Sequence, residues 1–494
     1  MANTITPHVL LFPMPAQGHL LPMTKLADLL SHAGLYVTFL ATEGVYQRCF
    51  LRDDDDRGDQ PRFRFRTVPD GLPRESSRPF VDTLDGLLGV VGHARGPYRE
   101  LLASSRGGGG GGGGEGELWP PVTCVVADGF LPFALDVPVE MGIPVMVLRT
   151  SSPCSVWAYC CIPELIKRGE VASPDEPNLD ESIQGVAGME GFLRRRDLPG
   201  FVRKAQSADD PGLQFFATCS ANLTRARALI LNTFEALDSP VISRLRDVCP
   251  DVYGLGPLHL LGRNVCSTPS GGDSGKLWRE DRTCMAWLDR QPDRSVVYVS
   301  FGSITVISRE ELLEFWHGLI GSGKRFLWVV RSDLVAETSA DEKTETPLEL
   351  EEGTRERGCL VGWAPQEEVL AHRSIGCFLT HSGWNSTLEG VVAGVPMVCW
   401  PFLGDQYTNS RFVSEVWRNG LDMKDAGGRD VVERMVKAAM DGEGADELRR
   451  SASKLAEEAR ESAEEGGSSY LDYQRLVQQI KSLSSDKSYK EVQA

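Results

Sequence analysis

The chain has 494 residues, 41% of them hydrophobic and 24% charged, enough for two or three domains with separate cores. Its formal net charge of −17 argues against nucleic acid or anionic membrane as partner, while leaving room for a small anionic ligand in a local pocket. No apolar run approaches the roughly eighteen residues of a membrane span. Twelve cysteines with no CxxC pair and no zinc-like Cys/His spacing read as reduced thiols in a cytoplasmic protein.

The first run, HVLLFPMPAQGHLLPM, is broken by Pro13, Pro15 and Pro22 and lacks the basic front end of a signal peptide. It reads as a buried strand over 8–14, a turn, and a helix over 20–32 with Pro22 in its first turn. Tyr36–Thr42 is the next strand. The acidic run Asp53–Asp56 and the glycines of Gly107–Gly114 read as solvated surface loops. A strand at Val122–Ala127, a helix near 131–141 and a strand at Val145–Leu148 follow. Periodicity vanishes over Gly256–Gly275, where Gly, Pro and Ser accumulate. The alternation then restarts with a strand at Val296–Phe301, a helix near 308–320 and a strand at Phe326–Val330. Strands at Gly376–Thr380 and Met397–Trp400 continue it, and helices over 446–465 and 469–482 end the chain.

Short apolar strands alternating with amphipathic helices predict an α/β fold of two doubly wound parallel-sheet halves. The boundaries read as 1–255 for the first domain, 256–275 for a linker and 276–465 for the second domain. A C-terminal helix and tail occupy 466–494, the helix packing back on the first domain. Three other motifs fall away. Gly318–Lys324 nearly spells a phosphate loop, but Arg325 stands where Ser or Thr should bind magnesium, and the helix precedes the strand. Neither GxGxxG after the first strand of either half nor a GxSxG elbow occurs.

The segment Trp363–Gln406, WAPQEEVLAHRSIGCFLTHSGWNSTLEGVVAGVPMVCWPFLGDQ, carries the densest chemistry. A buried strand ends at His381-Ser382-Gly383, and Asn385 and Ser386 are expected to open and cap a helix whose N–H groups attract phosphate. Gly383 permits close backbone approach, and His381 can donate to a phosphate oxygen. Glu389, one turn on, can accept both hydroxyls of a ribose. Trp363 offers a flat face to a base. Taken singly, such a histidine or tryptophan is more often structural; together they describe a nucleotide diphosphate site.

In length, order and nearly every polar position this segment resembles the signature of plant secondary-product glycosyltransferases, UDP-dependent enzymes of the GT-B fold. The turns PAQGH at 15–19 and FGS at Phe301–Ser303 extend the likeness over essentially the whole chain. The resemblance implies two Rossmann-like domains facing a central cleft. It implies that Trp363 stacks on uracil, with Gln366 beside base and ribose, and that Glu389 holds the ribose. His381, Asn385, Ser386 and the backbone at Gly383 and Trp384 would hold the diphosphate, with Ser303 approaching from a neighbouring turn. Asp405 and Gln406 would contact the sugar, and Gln at this last position goes mostly with glucose in the family.

His19 follows the first strand and Asp128 ends another, so in an open α/β sheet both face one crevice. Read alone, His19 is equally a buried structural histidine and Asp128 a helix N-cap. The resemblance makes them the base and its supporting carboxylate, a pairing that suits deprotonation of an acceptor near neutrality. Single displacement would then invert an α-linked donor to a β-glycoside, with no metal or other cofactor. The partners implied are UDP-glucose and a small lipophilic plant metabolite such as a terpenoid, iridoid or phenol. Phe12, Phe80, Trp157 and Phe192 are candidates for the acceptor pocket, though packing explains each as well. The protein would be a cytoplasmic monomer. The competing reading is a catalytically silent sugar-nucleotide binder.

Overall fold

In a computed structural model the described residues are 6–51, 61–71, 84–106, 119–171, 178–266, 276–335 and 354–484. Asp53–Asp56, Phe80, Gly107–Gly114 and residues 267–275 of the linker lie outside them. The chain divides into two compact units. The first comprises Met1–Cys160, Pro211–Leu277 and Glu461–Ala494, and the second Cys161–Asp210 and Trp278–Arg460. The segment Cys161–Asp210, embedded in the first half of the sequence, therefore belongs spatially with the second unit.

In the first unit the strands are β1 His8–Phe12, β2 Tyr36–Thr42, β3 Phe63–Val68, β4 Cys124–Asp128, β5 Val145–Arg149, β6 Ala228–Leu231 and β7 Val252–Gly254. They form one sheet in the order β3-β2-β1-β4-β5-β6-β7, all neighbours parallel. β1, β4 and β5 are buried throughout, as parallel strands covered on both faces must be. The helix Gln17–His32 packs Leu20, Met23, Leu26 and Leu30 into this core, and the last helix, Ser468–Leu483, adds Tyr473, Leu476 and Ile480. Tyr473 Oη donates to the Leu29 carbonyl at 3.0 Å, so the chain's last helix is tied to its first. His8 is a structural histidine. Nδ1 donates to the Pro120 carbonyl at 2.7 Å, Nε2 accepts from Thr38 Oγ1 at 2.8 Å, and burial lowers its pKa to about 3.

The second unit repeats the plan with β8 Val296–Ser300, β9 Arg325–Val329, β10 Gly358–Val361, β11 Ile375–Thr380, β12 Met397–Cys399 and β13 Gly420–Asp422. Their order is β10-β9-β8-β11-β12-β13, again parallel between all neighbours. Both units are Rossmann-like doubly wound sheets. The helix Arg309–Gly321 starts at a reciprocal capping box of Ser308 and Glu311. The phosphate-loop lookalike is the glycine-rich end of this helix, where Gly318 lets the helix approach Val432 of a neighbouring helix, Arg429–Met440.

Candidate active site

In each sheet the strand order reverses at one point, between β1 and β4 in the first and between β8 and β11 in the second. Ligands of doubly wound folds bind beyond the carboxyl ends of the strands at such a switch point. His19 and Asp128 occupy it in the first unit; Ser303 and His381 follow β8 and β11 in the second.

β1 stops at Phe12, and the helix begins at Gln17, three residues earlier than the sequence implies. His19 thus sits in the first helical turn. Its Nδ1 lies 2.8 Å from Asp128 Oδ2, with the carboxylate fully buried and the imidazole 16% exposed. Asp128 also accepts from Met14 N at 3.1 Å and from Phe130 N at 2.9 Å. Burial pushes its pKa up, but the His19 partner and the two backbone donors outweigh burial and hold the carboxyl below its ordinary range. An ionised acceptor at Nδ1 keeps the proton there and leaves Nε2 with a lone pair. Two neighbours absent from the sequence reading complete this corner. Thr150 Oγ1 is 3.0 Å from the same Nδ1, and Phe130 meets the imidazole edge to face at 5.5 Å. Neither carries a spacing signal; both depend on how β4 and β5 end.

In the second unit β11 runs into a buried turn. Ser382 adopts φ +62, a left-handed conformation unusual for serine, and Asn409 Nδ2 donates to its carbonyl at 2.9 Å. The helix Trp384–Ala393 follows. Its N-cap is Gly383, with no side-chain cap, so the expectation that Asn385 and Ser386 cap it is corrected: they stand at its second and third positions. Gly383 carries no hydroxyl or carboxylate to cap the first turn, which favours an anion there. His381 is buried between Gly302 and Gly383; a Cβ on either would lie 2.4 Å from its Nε2. Gly302 also has φ +70, so this position needs glycine twice over. Burial first, and the nearby Arg331 charge second, lower the His381 pKa to about 4. A ring so shifted is neutral at pH 7 and offers a ligand a hydrogen bond rather than a charge.

Arg331, just beyond β9, escaped the sequence reading. It is buried, donates to the carbonyls of Gly302 and Thr305, and pairs with Asp333 at 2.9 Å. It therefore fixes the turn that carries Ser303 and adds a cation beside His381. Trp363 stacks on Trp278, centroids 4.9 Å apart and planes at 22°, so one of its faces is already covered. Gln366 is a hub. Its Oε1 accepts from Tyr298 Oη at 3.0 Å, and its Nε2 donates to Ser386 Oγ at 2.9 Å and Glu389 Oε2 at 2.6 Å, orienting the acidic residue.

Asp405 and Gln406 are adjacent at the start of the short helix Gln406–Arg411. Gln406 is buried, and its Oε1 accepts from Phe402 N at 2.7 Å and Leu403 N at 2.8 Å. The amide oxygen is thus spent on the loop, and Nε2 is the half of the side chain those bonds do not use. Among the acceptor candidates, Phe12 is buried against Tyr98 and Phe133 in the first unit. Trp157 is half-buried there, whereas Phe192 belongs to the second unit, packed on Phe412 and under Arg411.

The profile of the family described as UDP-glucoronosyl and UDP-glucosyl transferase matches residues 270–449. A myricetin 3-O-rhamnoside 1,2-glucosyltransferase from Crocosmia x crocosmiiflora is 51% identical, over 97% of this chain and 96% of its own length. A 7-deoxyloganetic acid glucosyltransferase from Catharanthus roseus is 46% identical over 97% and 98%. Among solved structures, Os79 from O. sativa in complex with UDP superposes with a TM-score of 0.78 at 30% identity, covering 96% of this chain and 100% of that one. Likeness of this extent, on two parallel-sheet units with this donor segment, makes the chain a member of the plant UDP-glycosyltransferase family with the GT-B fold.

Proposed function

We propose that this UDP-glycosyltransferase transfers glucose from UDP-glucose to a hydroxyl or carboxyl of a small lipophilic plant metabolite, inverting the anomeric centre. The observation that carries the mechanism is the 2.8 Å bond from His19 Nδ1 to a buried, ionised Asp128. With a hydroxyl acceptor, His19 Nε2 takes the proton as the acceptor oxygen attacks the anomeric carbon; the bond from that carbon to the diphosphate breaks, and UDP leaves with the electron pair. Asp128 steadies the imidazolium. On the donor side, Trp363 and Gln366 hold the uridine and Glu389 the ribose. The uncapped helix start at Gly383, His381, Asn385, Ser386 and Ser303 hold the diphosphate, with Arg331 supplying positive charge. That set offers the leaving group stabilisation without a metal.

Glucose as the sugar is supported by relatives named as glucosyltransferases and by Gln406 beside Asp405. A lipophilic acceptor is supported by relatives named for a flavonol glycoside and an iridoid acid. A cytoplasmic setting is supported by twelve cysteines held as thiols, most of them buried. The test is UDP release from UDP-glucose against a panel of phenols, terpenoids and iridoids, with products checked for a mass gain of one hexose. UDP binding without release on any acceptor would favour the silent binder instead.

A further inference from the structure

The turn Arg195–Asp197 and the short helix Gly200–Arg203 belong to the second unit, although the chain reaches them within its first half. Asp197 is fully buried and gathers cations. Lys424 Nζ lies 2.6 Å from its Oδ1; Arg194 Nε lies 2.9 Å and Arg411 Nε 3.5 Å from its Oδ2. Lys424, itself buried just past β13, also pairs with Asp422 at 2.9 Å. The same stretch of backbone grips the chain on either side of the start of the helix Gln406–Arg411. Gly200 N donates to the Gly404 carbonyl at 2.7 Å, and Thr408 Oγ1 donates to the Asp197 carbonyl at 2.8 Å. Contact there is close: a Cβ on Gly200 would fall 3.0 Å from Gly404 N and 3.2 Å from the Tyr407 ring. Arg203 lies over that ring at 4.5 Å and pairs with Asp425 at 2.7 Å. Between the two grips stand Asp405 and Gln406.

We infer that Asp197 is a positioning residue for donor-sugar selection: its buried carboxylate anchors the Arg195–Arg203 turn, and that turn sets the backbone of Gly404–Thr408. The inference rests on the reading that Asp405 and Gln406 contact the transferred sugar. A carboxylate held by three cations resists displacement, because removing any partner leaves a buried charge unpaired. The grip is therefore stiff, and a stiff loop is what discrimination between epimeric sugars requires.

The test compares Asp197→Asn and Thr408→Val with the wild type and with Gln406→Ala, measuring kcat/KM for UDP-glucose and UDP-galactose and the Kd of UDP. Asp197→Asn and Thr408→Val should bind UDP within about twofold of wild type, since the proposed uridine contacts lie elsewhere. Their kcat with UDP-glucose should fall about 10- to 100-fold, the scale expected of a small misplacement. Their glucose-to-galactose ratio should fall at least about threefold. A merely structural role would lower activity with both donors together and leave the ratio intact. Should Asp197→Asn fail to fold, Thr408→Val, which removes one hydroxyl, carries the test. An unchanged ratio in folded Asp197→Asn or Thr408→Val, with the ratio altered in Gln406→Ala, overturns the inference and leaves the sugar-loop reading standing. An unchanged ratio in Gln406→Ala removes that reading, and the inference with it.

Discussion

Replacing Asp128 by Asn probes the dyad with almost no change of shape. The carboxylate serves three donors: Phe130 N at 2.9 Å on Oδ1, and His19 Nδ1 at 2.8 Å with Met14 N at 3.1 Å on Oδ2. An amide has one accepting side. If its oxygen faces His19 and Met14, the NH2 opposes the Phe130 N–H, and the imidazolium formed during reaction loses its counter-charge. If it flips, the NH2 opposes Met14 N and donates to Nδ1, forcing the His19 proton onto Nε2, where no base remains. One opposed buried donor costs about 1–3 kcal/mol of stability, which a folded enzyme can absorb. Activity bears more of the change. Loss of the charge or the tautomer should lower kcat by roughly 10²–10⁴-fold on a hydroxyl acceptor, while the Kd of UDP, whose proposed site is on the other unit, should stay within about twofold. A carboxylate acceptor, already ionised near neutrality, should suffer less. The assay is UDP release with a phenol and with a carboxylic acid, alongside calorimetry with UDP. A variant keeping more than half of wild-type kcat on the phenol would refute the role given to Asp128.

Three further outcomes follow from the donor side. His381→Ala should weaken UDP binding by about 1.5–3 kcal/mol, the range for a hydrogen bond to a charged group; unchanged calorimetric affinity would place the diphosphate elsewhere. The same histidine makes stability depend on acid. Its pKa is about 4 when folded against 6.5 ordinarily, so between those values the unfolded chain takes up a proton that the folded chain refuses, and stability is lost as pH falls. From pH 7 to 5 that amounts to about 2 kcal/mol, or roughly 4–8 °C in Tm for a unit of this size. His381→Gln should lack that increment in a thermal melt, and an identical acid drop in both proteins would contradict the argument. Gln406→Glu keeps an oxygen for Phe402 N and Leu403 N but loses the amide donor. It should fold normally yet lose about 10- to 100-fold in kcat/KM with UDP-glucose; full activity would show that only the oxygen matters.

Several strands buried on both faces were legible as unbroken apolar runs, LLF in β1, VVA in β4 and VVYVS in β8 among them, but β6, ALIL, is as buried and as apolar and was passed over. β3, FRFRTV, did not. It lies at the sheet edge, where alternating arginines are tolerated, and its pattern suits no buried parallel strand. β7 and β13 are three-residue strands, VYG and GLD, with a glycine at one end, whereas β12 of equal length lies in the apolar run MVCW and was read. At the site, the family resemblance singled out Gln366, Ser386 and Glu389, and hydrogen bonds join these three. What escaped were contacts made by distant segments. Arg331 matters because β9 ends beside β8; Thr150, because β5 ends beside β4; Trp278, because it stacks on Trp363. Asp197 is the extreme case, a first-half residue whose partners Arg411 and Lys424 come more than two hundred positions later.

The most direct test of the account is the anomeric configuration of the product made from UDP-glucose, read by proton NMR for the wild type and for His19→Ala. The wild type should yield a β-glucoside of the acceptor. His19→Ala should form the same product roughly 10²–10⁴-fold more slowly on a hydroxyl acceptor, with UDP bound as tightly as before. An α-glucoside, or a His19→Ala enzyme as fast as the wild type on that acceptor, would contradict single displacement driven by the His19–Asp128 pair.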